Sequence, residues 1–89
     1  MIRLRRLLLD ILKPHHPNVI EFSKVLAEKG NYKIRLSVLE MDEKTETLQV
    51  EIEGSDIDYE EIRATISEMG ASLHSIDAVE VSNEAEATE

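Results

Sequence analysis

Eighty-nine residues, 42% hydrophobic but only 3% aromatic, allow one domain around a small aliphatic core of Leu, Ile and Val. Asp and Glu outnumber Lys and Arg 19 to 10, and the resulting charge of −9 repels phosphate backbones, so no nucleic-acid partner is expected. The absence of cysteine excludes disulfides, thiol catalysis and Cys-ligated zinc or iron–sulfur sites, and it fits a cytoplasmic location.

The chain opens with MIRLRRLLLDILK, basic residues before an apolar run. The run carries Asp10, lacks a small-residue cleavage site, and falls far short of the ~20 residues that span a bilayer. It reads as a strand over residues 3–12, and no membrane partner is expected. Leu7, Leu9 and Ile11 point one way and Leu4, Leu8 and Leu12 the other, as in a central strand. Pro14 and Pro17 end it, and Pro17 suits the first turn of a helix over 17–29. Val19, Phe22, Ser23 and Leu26 share one helix face, and Gly30 is expected to supply the C-terminal stop.

Residues 32–42 and 46–54 alternate as a β-hairpin, with Ile34, Leu36 and Val38 on one arm and Leu48, Val50 and Ile52 on the other. The expected register sets Val38 opposite Val50, Leu36 opposite Ile52 and Arg35 opposite Glu53, around a Glu43-Lys44-Thr45 loop. Ser55 and Asp58 resemble a capping box for a second helix, whose apolar stripe is Ile62, Thr65, Ile66 and Met69 and whose end is Gly70. A last strand over 72–81 places Ile76 and Ala78 on one face and Val79 and Val81 on the other. The domain therefore covers 1–82, and 83–89 reads as an acidic, unstructured tail.

The element order βαββαβ, with right-handed crossovers, predicts an α+β, ferredoxin-like sandwich: a four-stranded antiparallel sheet in the order 4-1-3-2 with both helices on one face. Within that frame four segments are distinctive: Leu9-Asp10-Ile11-Leu12-Lys13-Pro14-His15, Glu40-Met41-Asp42, Glu53-Gly54-Ser55-Asp56-Ile57 and His74-Ser75-Ile76-Asp77. Together they resemble the archaeal "domain of unknown function 211" family, over about residues 2–81. The resemblance implies an archaeal cytosolic protein of ferredoxin-like fold that assembles into rings. It implies no particular activity.

The topology brings Asp10, His15, His16, Asp42, Glu46 and His74 to one end of the sheet, with Asp77 near it. Facing Ile11 with Ile76 sets Asp10 opposite Asp77 on the open face. Like charges so opposed call for a cation, a shared proton or an arginine from a neighbouring subunit between them, unless both are solvated or bond to backbone groups in the loop. Asp10 and Asp77 are therefore the candidate metal ligands: carboxylates suit Ca²⁺ or Mg²⁺, and an added imidazole would turn the preference to zinc. His15, His16, Asp42 and His74 are the candidate ligand-binding residues, His15 and His16 lying where a helix N-terminus could take an anion. The simpler account of the two adjacent histidines is that they order the loop, and His74 is expected to be a hydrogen-bonded core residue.

Asp56, Asp58, Glu60 and Glu61 lack the glycine and distal glutamate of a calcium loop, and no phosphate-binding glycine loop or catalytic triad motif is present. An apolar open face of Leu4, Leu8, Leu12, Leu39, Met41, Val79 and Val81 is expected to form a homo-oligomer interface. The expected function is a non-catalytic, homo-oligomeric module that binds a divalent cation or small ligand. The alternative is a metal- or histidine-dependent enzyme with Asp10, His15 and Asp77 at a site between subunits.

Overall fold

The computed structural model describes residues 1–85. The elements are β1 (Ile2–Pro14), α1 (Val19–Glu28), β2 (Lys33–Met41), β3 (Thr45–Glu53), α2 (Tyr59–Glu68) and β4 (Ser72–Asn83). The strands form one antiparallel sheet in the order β2-β3-β1-β4, the expected ferredoxin-like arrangement. Leu7, Leu9 and Ile11 of β1 and Leu48, Val50 and Ile52 of β3 are buried against Phe22 and Leu26 of α1 and Ile62 and Ile66 of α2. Period-2 alternation on the two middle strands meets the apolar stripes of both helices, and that layer is the core.

α1 begins one residue after Pro17, at an Asn18 cap whose side chain accepts from the Glu21 N–H at 3.0 Å. Its end differs from the expected glycine stop. Asn31, not Gly30, takes the left-handed conformation, at φ 61°. Gly30 is required for space instead: a Cβ there would come within 2.3 Å of the Tyr32 ring. The Tyr32 hydroxyl in turn accepts from the Asp58 N–H at 2.9 Å. Asp58 itself caps α2, accepting from the Glu61 N–H at 3.1 Å, so the cap lies three residues beyond the expected Ser55. Gly70, at φ 82°, closes α2 as the sequence suggested.

The hairpin pairs Ile34 with Ile52, Leu36 with Val50, and Val38 with Leu48. This register is displaced by two residues from expectation, and Arg35 faces Glu51 rather than Glu53. The turn supplies one residue of that shift: Asp42 Oδ1 accepts from the N–H groups of Lys44 at 2.9 Å and Thr45 at 2.8 Å. That local bonding tightens the turn and returns Thr45 to β3. A bulge at Leu39 supplies the second residue of the shift.

The β1–β4 register also departs from expectation. Leu9, not Ile11, pairs with Ile76, and Asp10 pairs with Ser75. Irregularities at Arg5 on β1 and at Asp77 and His74 on β4 cause the slip. They also change the faces. Leu4 packs against the core, and Val79 pairs with Leu7 on the helix side. The expected apolar open face is therefore not formed: of its members, Leu8 and Leu12 stand there, with Glu51 and Thr47 as their β3 partners. β4 extends to Asn83, one residue past the expected domain boundary, and residues 86–89 of the expected tail lie outside the described residues.

Candidate functional site

Where β1 ends, Lys13 continues the inward alternation of Leu7, Leu9 and Ile11 and is fully buried (0% exposed). Its ammonium donates to the carbonyls of Pro14 at 2.8 Å and His15 at 3.5 Å, and to that of Pro17. It forms an ion pair with Glu46 Oε1 at 3.0 Å, and that oxygen has no hydrogen bond of good geometry among the described residues. The ammonium also lies 6.0 Å from the centre of the Phe22 ring, within cation–π range. Lys13 therefore ties the Pro-bounded β1–α1 loop to the first turns of the hairpin strand β3.

His15 completes the same junction. Its Nδ1 lies 2.9 Å from Glu46 Oε2, and its Nε2 lies 3.1 Å from each of the Asp42 and Glu43 carbonyl oxygens. Both ring nitrogens face acceptors, an arrangement satisfied when both carry a proton. The Glu46 hydrogen bond raises the His15 pKa, with the two carbonyls adding to it. Burial pushes the Glu46 carboxyl up, but the His15 hydrogen bond and the Lys13 ammonium outweigh it and hold the carboxyl below its usual range. Asp42 is lowered by the Thr45 and Lys44 N–H groups. The sequence placed His15, Asp42 and Glu46 at this end correctly. It missed Lys13, although the parity of Lys13 with Leu7, Leu9 and Ile11 was the available signal.

The remaining candidates are spread elsewhere. Asp10 stands on the open face between Gln49 of β3 and Ser75 of β4. Asp77 occupies a β4 irregularity and accepts from Ser75 Oγ at 2.7 Å, and it does not stand directly opposite Asp10. His15 bonds Glu46 on the helix side, so a single chain does not bring it together with Asp10 and Asp77. His16 is exposed. His74 is exposed as well, not a core residue, because it falls in the second β4 irregularity. It lines a groove of about 500 Å³ between α2 and β4, with Tyr59, Arg63 and Leu73. Among the described residues no three His, Asp or Glu side chains cluster closely enough to hold a metal ion. No helix of the described residues is long and apolar enough to cross a membrane.

The open face carries its own charge pattern. Lys33, Glu53, Arg6 and Glu80 are cross-strand neighbours in one row across all four strands. Arg6 also donates to Glu51, and that bond holds the Glu51 carboxyl below its usual range while raising Arg6.

The model of the DUF211 family, described as "Uncharacterized ArCR", matches residues 5–86. The chain belongs to the DUF211 family. An uncharacterized protein of Methanocaldococcus jannaschii is 40% identical over 77 residues, which cover 85% of this chain and 79% of that protein. The matched span of the DUF211 domain includes β1 from Arg5 onward and every other element, with Lys13, His15, Asp42 and Glu46 inside it.

Proposed function

We propose that this DUF211 protein is a non-catalytic, homo-oligomeric module whose copies associate through the outer strands of the sheet to close a ring. The observation that carries this reading is the exposure of apolar side chains on both unpaired edges. Ile76, Val79 and Val81 of β4 are 46%, 57% and 53% exposed, and Val38, Leu39 and Met41 of β2 are 42%, 60% and 61% exposed. The helices cover β1 and β3 and leave these outer side chains bare. Unpaired, apolar edge strands favour association with another chain unless something blunts them. Neither β2 nor β4 contains a proline, and the Leu39 bulge, the β4 irregularities and Lys33 leave these apolar side chains exposed. Light scattering at micromolar concentration is expected to give a discrete multiple of the 10.1 kDa chain mass. A monodisperse species of 10.1 kDa would sink the proposal.

Cation binding on the open face is the second reading. It is favoured by Ser75, which pairs with Asp10 across the strands and donates to Asp77. Two carboxylates and a hydroxyl fall short of the six to eight oxygens Ca²⁺ takes, so waters or a neighbouring copy must supply the rest. Calorimetric titration of chelator-treated protein with Ca²⁺, Mg²⁺ and Zn²⁺ is expected to show binding that Asp10→Asn abolishes. Binding weaker than millimolar, or unchanged in Asp10→Asn, rules it out.

A further inference from the structure

The two edges of the sheet differ in charge, and the difference selects how copies meet. β2 carries Lys33 and Arg35 at its start, both on the open face through their partners Glu53 and Glu51. β4 carries Asp77 and Glu80 and contains no Lys or Arg. Pairing β4 with its own copy brings no Lys or Arg to Asp77 and Glu80, and pairing β2 with β2 would leave the apolar β4 bare. Like charges directly opposite one another destabilise a strand pair, whereas opposite charges support it.

Direction agrees with charge. Each strand is antiparallel to its neighbours in the order β2-β3-β1-β4, so β2 and β4 run in opposite directions. A second copy set beside the first without reversal therefore brings its β2 antiparallel to the first copy's β4, and the ladder continues.

The alternating row gives the register its sense. Lys33, Glu53, Arg6 and Glu80 read plus, minus, plus, minus across one chain. The next side chain required beyond Glu80 is a cation, and β2 of another copy begins with two.

We propose that β4 of one copy pairs with β2 of the next, setting Glu80 and Asp77 against Lys33 and Arg35 while Val79 and Ile76 meet the Ile34–Leu36 stretch on the helix side. This rests on the homo-oligomer reading above and specifies its interface. Matching faces require the Asp77 irregularity to carry through, since Val79 and Ile76 partner the buried Leu7 and Leu9 within the chain. Such contacts are heterologous: they close a ring if the rotation between copies allows it and otherwise continue as a filament.

The chain has no cysteine, so introduced pairs report without background. Directly opposed antiparallel residues lie roughly 4.5–5.5 Å apart at Cα, within disulfide reach. Chains carrying Val79→Cys with Ile34→Cys, or Val79→Cys with Leu36→Cys, are oxidised and separated on a non-reducing gel. At least one double variant is expected to give a ladder of dimers, trimers and larger species, and Val79→Cys alone is expected to give none. Glu80→Lys is expected to weaken association on the order of tenfold, as a favourable pair turns repulsive. Crosslinked dimers from Val79→Cys alone overturn this interface and leave the homo-oligomer reading standing. So does the absence of a ladder from both doubles in protein that light scattering shows to be oligomeric. A monomer in light scattering overturns both.

Discussion

Lys13 occupies a position that the alternation of β1 gives to apolar side chains, and it is tolerated because loop carbonyls and Glu46 surround its charge. His15 shares that carboxylate, and the groups facing it are Glu46 of β3, Lys13 of β1 and Asp42 at the hairpin turn. Its raised pKa fixes a sign. A group whose pKa is higher folded than unfolded contributes stability that is full below the unfolded value, near 6.5, and lost as pH rises through the folded value. Glu46, lowered on folding, contributes above its unfolded value, near 4.5, and that contribution is lost as pH falls through the folded value. The junction is therefore strongest between about 4.5 and about 6.5. The melting temperature of the wild type is expected to fall, relative to His15→Gln, as pH is raised from about 6.5 into the alkaline range. Parallel melting curves for the two proteins would show that the imidazole takes no part. The presence of His15 and Glu46 at one end was legible from strand order alone. Their pairing was not, because it depends on where the hairpin turn brings Asp42 and Glu43.

At the scale of the element, every strand and helix was legible, since their periodicities are long, although the caps at Asn18 and Asp58 were not. Register was not. Asp42 decides the turn by bonding two N–H groups that a wider loop would have left free, and the Leu39 bulge shifts the rest of the hairpin by one more residue. Asp42→Ala removes the acceptor of both N–H bonds and is expected to cost about 1 kcal/mol, read as a lower denaturation midpoint with an unchanged slope. An unchanged midpoint would mean that the flanking apolar pairs fix the turn without it. The β4 irregularities defeat sequence reasoning for a related reason. Strict alternation cannot reveal that Asp77 and His74 each interrupt the β1–β4 register, and each interruption moves the following residues to the opposite face. Asp10 consequently meets a serine instead of a second carboxylate.

For the whole molecule, the −9 charge is unevenly spread, and the sheet concentrates alternating charge on its open face. The exposed apolar side chains expected there stand largely at the edges instead, because the helices reach over the middle pair of strands. An even number of antiparallel strands gives such a sheet two unlike margins, running in opposite senses. Under the proposed β4–β2 pairing each copy is, in the terms of polymer chemistry, a monomer with two different reactive ends, like an amino acid and unlike a diamine. A copy spoiled at the β2 margin alone would still attach by β4 and then offer nothing to its successor. It would act as a chain stopper, and a small fraction of such copies would keep many of their intact neighbours from completing a closed assembly.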